Sequence, residues 1–178
     1  NQLTIFRTDS KITINLSTKT AAKEVLNTAL ANESAEEAPN TKYVAYVKEN
    51  NLFINTTKNN IQISNDGGYT IVYGKSVHRD EFGISKGTFW STNGNLLAYY
   101  KMDQSDVTDY PIIDWTSYPA KNKNIKYPMA GNKSHYVSVG VYNVTNNQNV
   151  FLKIDGPKDQ YLTNIAWSND EKIIYVVV

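Results

Sequence analysis

The 178-residue chain contains no cysteine. That excludes disulfides, thiol nucleophiles and zinc sites built on cysteine, and leaves the redox compartment open. Histidine is nearly as scarce: His78 and His135 are the only two. Arginine also occurs twice, at Arg7 and Arg79. The formal net charge is +1, too small for the basic field that nucleic acid or anionic lipid requires. No apolar run approaches the ~20 residues of a membrane-spanning helix. Charged residues make up 20% and hydrophobic residues 40%, an ordinary globular balance that excludes wholesale disorder. The chain opens at Asn1 with no leader, so any targeting segment is expected to be missing or already removed. It stops inside Ile173-Ile174-Tyr175-Val176-Val177-Val178, an apolar run in which natural domains seldom end. The expectation is a fragment of a larger domain.

What the chain does contain is tyrosine, 13 residues, and asparagine, 22 residues. Tyrosine and β-branched residues suit half-buried pleated strands, and asparagine suits tight turns. Together they predict an all-β fold of many short strands. Alternating pieces such as Ile12-Thr13-Ile14-Asn15-Leu16 read as edge-like strands. Tyr43–Val47, the Glu49-Asn50-Asn51 turn and Leu52–Ile54 read as a hairpin. Further strands are expected at 69–73, 96–100, 136–144, 150–154 and 173–178. One short helix is expected near residues 20–31, where Ala21, Ala22, Val25, Leu26, Ala29 and Leu30 fall at helical spacing. Residues 32–41 read as a polar loop, and 103–134 as a long irregular segment of the kind that serves a function or a partner surface.

One pattern recurs. Phe89-Trp90-Ser91-Thr92-Asn93-Gly94-Asn95-Leu96-Leu97-Ala98-Tyr99 matches Ala166-Trp167-Ser168-Asn169-Asp170-Glu171-Lys172-Ile173-Ile174-Tyr175-Val176, and Ala38–Tyr46 is a weaker copy. Each reads as strand, Trp-Ser, polar turn, apolar strand. The spacing fits propeller blades of about 40–50 residues with insertions. A set of unrelated sandwich hairpins is the competing explanation.

The segment Val77-His78-Arg79-Asp80-Glu81-Phe82-Gly83-Ile84-Ser85-Lys86-Gly87-Thr88-Phe89-Trp90-Ser91 resembles the signature insertion of the dipeptidyl peptidase IV family's β-propeller. Tyr99–Gln104, Val107–Asp114, Lys126–Gly131, Val139–Tyr142 and Tyr161–Ser168 continue the resemblance in order, from about residue 38 to the end. The likeness is strongest to bacterial members, including prolyl tripeptidyl aminopeptidases. It implies that residues 1–178 are part of an N-terminal propeller, a partial ring of several four-stranded blades out of eight. It also implies an α/β-hydrolase domain outside this chain, carrying a Ser-His-Asp triad that trims short peptides from N-termini, usually after Pro. The implied setting is periplasmic, secreted or in the cell envelope, and no cofactor or metal is implied. Cut strand edges are expected to favour self-association. The competing function is a non-catalytic propeller that binds proteins.

A nucleophile elbow reads Gly-x-Ser-x-Gly. The chain is expected to hold none and no complete triad, hence no catalytic residue. The sharper site is Asp80-Glu81. A peptidase that counts residues from the N-terminus must grip an ammonium group, which a carboxylate does through charge-assisted hydrogen bonds. By the resemblance, Glu81 is the amine anchor and Asp80 stands where relatives carry the first of two glutamates. Tripeptidyl relatives depend chiefly on one glutamate, so the number of residues released stays open. Arg79 is a candidate to orient Glu81 or to bind a substrate carbonyl. Read without the resemblance, Asp80 and Glu81 simply decorate a solvated turn, and His78 is a packing residue.

Overall fold

The computed structural model describes residues 2–6, 10–25, 27–40, 42–56 and 58–178. Among them no α-helix forms, and no helix is long and apolar enough to cross a membrane. Sixteen strands among the described residues carry the fold. The first three, β1 (Gln2–Phe6), β2 (Ser10–Asn15) and β3 (Thr20–Val25), make an antiparallel meander. The next four, β4 (Glu33–Glu37), β5 (Tyr43–Lys48), β6 (Asn51–Thr56) and β7 (Asn60–Gln62), make a complete four-stranded sheet in sequence order. The turn between β5 and β6 is as expected: Glu49 and Asn50 both take positive φ, as a two-residue hairpin turn requires.

The central sheet contains β8 (Ile71–Tyr73), β9 (Thr88–Trp90), β10 (Leu96–Asp103), β13 (Tyr136–Asn143) and β14 (Gln148–Phe151). Between β10 and β13 the chain throws out a hairpin of β11 (Asp109–Asp114) and β12 (Lys121–Lys126). Strands β15 (Thr163–Trp167) and β16 (Ile174–Val177) begin a further sheet.

The sheets stack, and β10 is the clearest record of it. Leu97 and Tyr99 point to one face, into a core with Ala45, Leu52, Ile54 and Trp90. Ala98 and Tyr100 point to the other, into a core with Val77, Val139, Leu162 and Ile165. All four β10 residues are fully buried. A strand that alternates between two cores belongs to a sheet covered on both faces.

The sequence repeat proves to be a repeat of bonds. Ser91 and Ser168 each accept a backbone N–H with the side-chain oxygen, from Leu96 at 3.1 Å and Ile173 at 3.0 Å. Each also donates its own N–H across the turn, to Leu96 O and Ile173 O, both at 2.9 Å. The two tryptophans staple neighbouring sheets. Trp90 Nε1 donates to Glu36 O at 3.1 Å, and Trp167 Nε1 donates to Phe89 O at 3.0 Å. Asn40 continues the pattern, donating to Asn93 O at 2.8 Å.

Three expectations need correction. The segment expected as a helix, 20–31, is strand β3 followed by a short 3₁₀ turn, Thr28–Ala31, capped by Asn27. Isolated helices this short are marginal, whereas β3 pairs with β2 along its whole length, from Asn15↔Thr20 to Ser10↔Val25. Leu26, part of that expected helix, lies outside the described residues, as does Arg7. The polar stretch 32–41 contains β4, an edge strand whose Glu-Ser-Ala-Glu-Glu sequence carries no strand signal. Pairing with β5 overrides propensity there. Finally, 103–134 is not irregular, since most of it is the β11–β12 hairpin.

Candidate functional site

Strands β8 and β9 lie end to end along the same edge of β10. Tyr73 pairs with Lys101 and Thr88 pairs with Tyr99, leaving Tyr100 opposite the gap. Gly74 N–H donates to Tyr100 O at 2.9 Å, and Tyr100 N–H donates to Gly87 O at 3.0 Å. Two glycines thus share the place of one strand residue, and everything from 75 to 86 is expelled from the sheet. The neck is tight. Gly74 sits at φ +65°, and a Cβ on Gly87 would collide with the backbone of Lys75.

Val77 and Ile84 fasten the two legs of this insertion in the second core. Between them the backbone is strained. His78, Arg79, Asp80 and Phe82 take φ of 53°, 58°, 61° and 57°. Left-handed non-glycine residues cost roughly 1 kcal/mol each, so such a run persists only where its surroundings over-determine it.

The surroundings do so through two histidines, both buried. Leu162 N–H donates to His78 Nε2 at 3.2 Å. An accepting nitrogen carries no proton, so neutral His78 is protonated on Nδ1, which faces His135 Nε2 at 3.1 Å. His135 Nε2 also accepts the main-chain N–H of His78 at 3.1 Å. Both rings are therefore engaged as neutral bases. Burial, and then the neighbouring His135, push the His78 pKa down to about 4. Burial, and then the Arg79 guanidinium, push His135 down as well. The Tyr161 ring lies tilted against His78, with centroids 4.3 Å apart, and meets Phe82 edge-on at 5.5 Å.

This frame sets the three expected residues apart. Glu81 is exposed and lines a 320 Å³ cavity with His78, Arg79, Tyr127, His135 and Tyr161. Asp80 lines a smaller cavity of 190 Å³ and accepts a hydrogen bond from Ser76 Oγ. Arg79 borders both, with its guanidinium 4.8 Å from the centre of the Tyr127 ring. Among the described residues Arg79 forms no ion pair with Glu81; the aromatic ring orients it instead. The two carboxylates are adjacent in sequence and diverge in space.

The expected absence of the elbow pattern is wrong as a statement of sequence. Gly83-Ile84-Ser85-Lys86-Gly87 spells Gly-x-Ser-x-Gly. Its context differs from an elbow, which needs strand, turn, then helix. Here a turn precedes the segment and strand β9 follows it. Among the described residues, the cavity that Ser85 lines contains no histidine or carboxylate, and Lys86 is ion-paired to Glu36.

Sequence reasoning passed over His135, Tyr127 and Tyr161. Tyr127 and Tyr161 stand inside segments of the family resemblance, and that was their only signal. His135 had none.

A family model described as the dipeptidyl peptidase IV N-terminal region matches residues 5–178. The chain belongs to this family. The dipeptidyl peptidase IV-type chain is 29% identical over 160 residues to the probable dipeptidyl-aminopeptidase B of Podospora anserina, covering 79% of this chain and 17% of that protein. It is 28% identical over 151 residues to dipeptidyl aminopeptidase B of Saccharomyces cerevisiae, covering 77% and 18%. Among solved structures, it resembles a candidate dipeptidyl aminopeptidase IV from Bacteroides ovatus at a TM-score of 0.77 and 38% identity, covering 98% of this chain and 24% of that one. Porphyromonas gingivalis dipeptidyl peptidase 4 shares the fold at a TM-score of 0.73 and 22% identity, with 99% and 26% covered. The stacked sheets are thus part of a β-propeller. The chain spans less than a fifth of these curated relatives and about a quarter of these structures.

Proposed function

We propose that this chain is the substrate-gripping portion of a serine exopeptidase that removes short peptides from N-termini, typically after Pro. The observation that carries the reading is the placement of Glu81. It stands on an expelled, strained turn, at the rim of a cavity walled by Tyr127, Tyr161 and His78.

A peptide's α-amino group is mostly protonated at neutral pH, with an ordinary pKa of about 7.7–8.0. A carboxylate beside aromatic walls competes well with water for that cation. Charge-assisted hydrogen bonds of this kind contribute about 1.5–3 kcal/mol. The face of Tyr127 is already taken by Arg79, so the ammonium has Glu81 rather than that ring as its partner. Arg79 instead suits a carbonyl oxygen of the bound peptide. Asp80, tied to Ser76 in the neighbouring cavity, assists at a distance by offsetting the Arg79 charge.

Bond cleavage belongs to an α/β-hydrolase domain outside these residues, and the setting is the periplasm, envelope or exterior. The test is Glu81→Gln in the full-length protein, assayed on free-amine and N-acetylated peptides. The expected result is a loss of about 10- to 100-fold in kcat/KM for the free amine alone. An unchanged preference for the free amine would falsify the anchor assignment.

A further inference from the structure

We propose that His135, acting through His78, is a positioning residue for the amine-anchoring turn, and that it performs this role only as a neutral acceptor. The inference rests on the reading of Glu81 as the anchor. Its basis is a bond pattern with few alternatives. His78 is the first left-handed residue of the run, and its buried main-chain N–H points out of the turn with His135 Nε2 as its acceptor. The same nitrogen receives the His78 ring, and the far side of that ring receives Leu162 N–H from the start of the next sheet. One imidazole thus holds the backbone and the side chain at the point where the chain turns left-handed. Beyond it the turn has the Asp80 N–H to Val77 O and Ile84 N–H to Glu81 O bonds, at 3.2 and 3.1 Å, and the Asn164 side chain on Phe82 O at 3.3 Å. None of these contacts reaches His78 itself.

The charged groups around the pair favour its neutral state. Arg79 on the turn and Lys126 at the end of β12 bring positive charge to cavities that His135 lines. Asp80 and Glu81 bring negative charge to the same two cavities, but Asp80 is hydrogen-bonded to Ser76 and Glu81 is exposed to solvent. Tyr127 and Tyr161 supply rings rather than charge. A proton on His135 Nε2 would face two donors, and a proton on His78 Nε2 would face a third. Either would push the turn away from its anchor point.

The test uses the full-length protein with Gly-Pro-p-nitroanilide and Ala-Ala-Pro-p-nitroanilide. His135→Leu removes the acceptor, whereas His135→Gln retains an amide oxygen near the position of Nε2. The expected result for His135→Leu is a KM raised about tenfold or more, with kcat within about threefold. His135→Gln should bring KM back to within about threefold of the unaltered protein. An unchanged KM in His135→Leu overturns the proposal, and so does a His135→Gln variant as weak as His135→Leu. Should His135→Leu fail to fold, nitrogen-15 spectra of the unaltered protein decide. At neutral pH His78 should be protonated on Nδ1 and His135 should carry no proton on Nε2. Acidification should move both rings and the amides of residues 79–83 together. Rings that titrate near 6.5 while those amides stay still overturn the proposal. Failure of the anchor reading looks different: Glu81→Gln would leave amine preference intact, without disturbing the coupling of rings and turn.

Discussion

The tryptophan staples make a quantitative claim about how the sheets are joined. Trp90 is nearly buried, stacks on Tyr43 at 6.1 Å and donates its indole N–H to Glu36 O. Replacing it with Phe deletes the outer ring and the donor together. The lost contacts and the space left behind cost about 1 kcal/mol. The stranded Glu36 carbonyl and the missing bond cost about another 1–2 kcal/mol. A total of about 2–3 kcal/mol should lower the melting temperature by about 4–12 °C in a chain of this length. Trp167→Phe removes the same bond at a more exposed place, so its cost should be about 1 kcal/mol smaller. Trp115 supplies the control. It is 78% exposed at the tip of the β11–β12 hairpin, and Trp115→Phe should change stability by no more than about 0.5 kcal/mol. Scanning calorimetry on the three variants measures all of this. The reasoning fails if Trp90→Phe melts with Trp115→Phe rather than well below it.

Acid should weaken the fold before the carboxylates are protonated. The unfolded chain binds a proton at His78 near 6.5 and the folded chain only at about 4, so stability is complete above 6.5 and is lost as pH falls through that window. The loss from His78 approaches about 3 kcal/mol, read as the urea midpoint against pH, and a flat midpoint between 6.5 and 4 would refute it. Asp66, held below its usual range first by the Tyr73 hydroxyl, acts only below that window. Gly87→Ala should cost about 1–3 kcal/mol and abolish Glu81-dependent amine binding, because the new Cβ enters the Lys75 backbone; a melting curve and peptide titration check both. The isolated chain should self-associate through the exposed Ile112, Ile113, Trp115 and Tyr118 of the β11–β12 hairpin. Light scattering should then show mass rising with concentration, and Ile113→Lys with Trp115→Ser should restore the monomer.

The sequence showed the fold wherever residue type and local bonding coincide. The Trp-Ser turns were readable because each recurs with the same serine cap and the same indole bond. Strand β4 was unreadable because none of its residues favours a strand; β5 imposes the conformation. The helix expected at 20–31 had the right periodicity, but pairing with β2 decided the outcome. At the site, the carboxylates were visible and their divergence was not, since left-handed backbone at Arg79 and Asp80 has no marker in the sequence. His78 and His135 are 57 residues apart and share no spacing rule. Only the folded chain joins them. Ser85 warns from the other side: a five-residue pattern was present without the strand and helix that give it meaning.

The split partner of Tyr100 has a consequence for how such a protein can change. To β10, Gly74 and Gly87 together look like one residue, the first giving the N–H and the second the C=O. The register of β8 and β9 is therefore independent of what lies between them. The exposed tip, residues 79–83, can be lengthened, shortened or rewritten without shifting a pair in the sheet, provided that Val77 and Ile84 keep their places in the second core. If the turn grips the peptide as proposed, substrate preference can drift while the sheet keeps its register, a cartridge changed in a fixed socket.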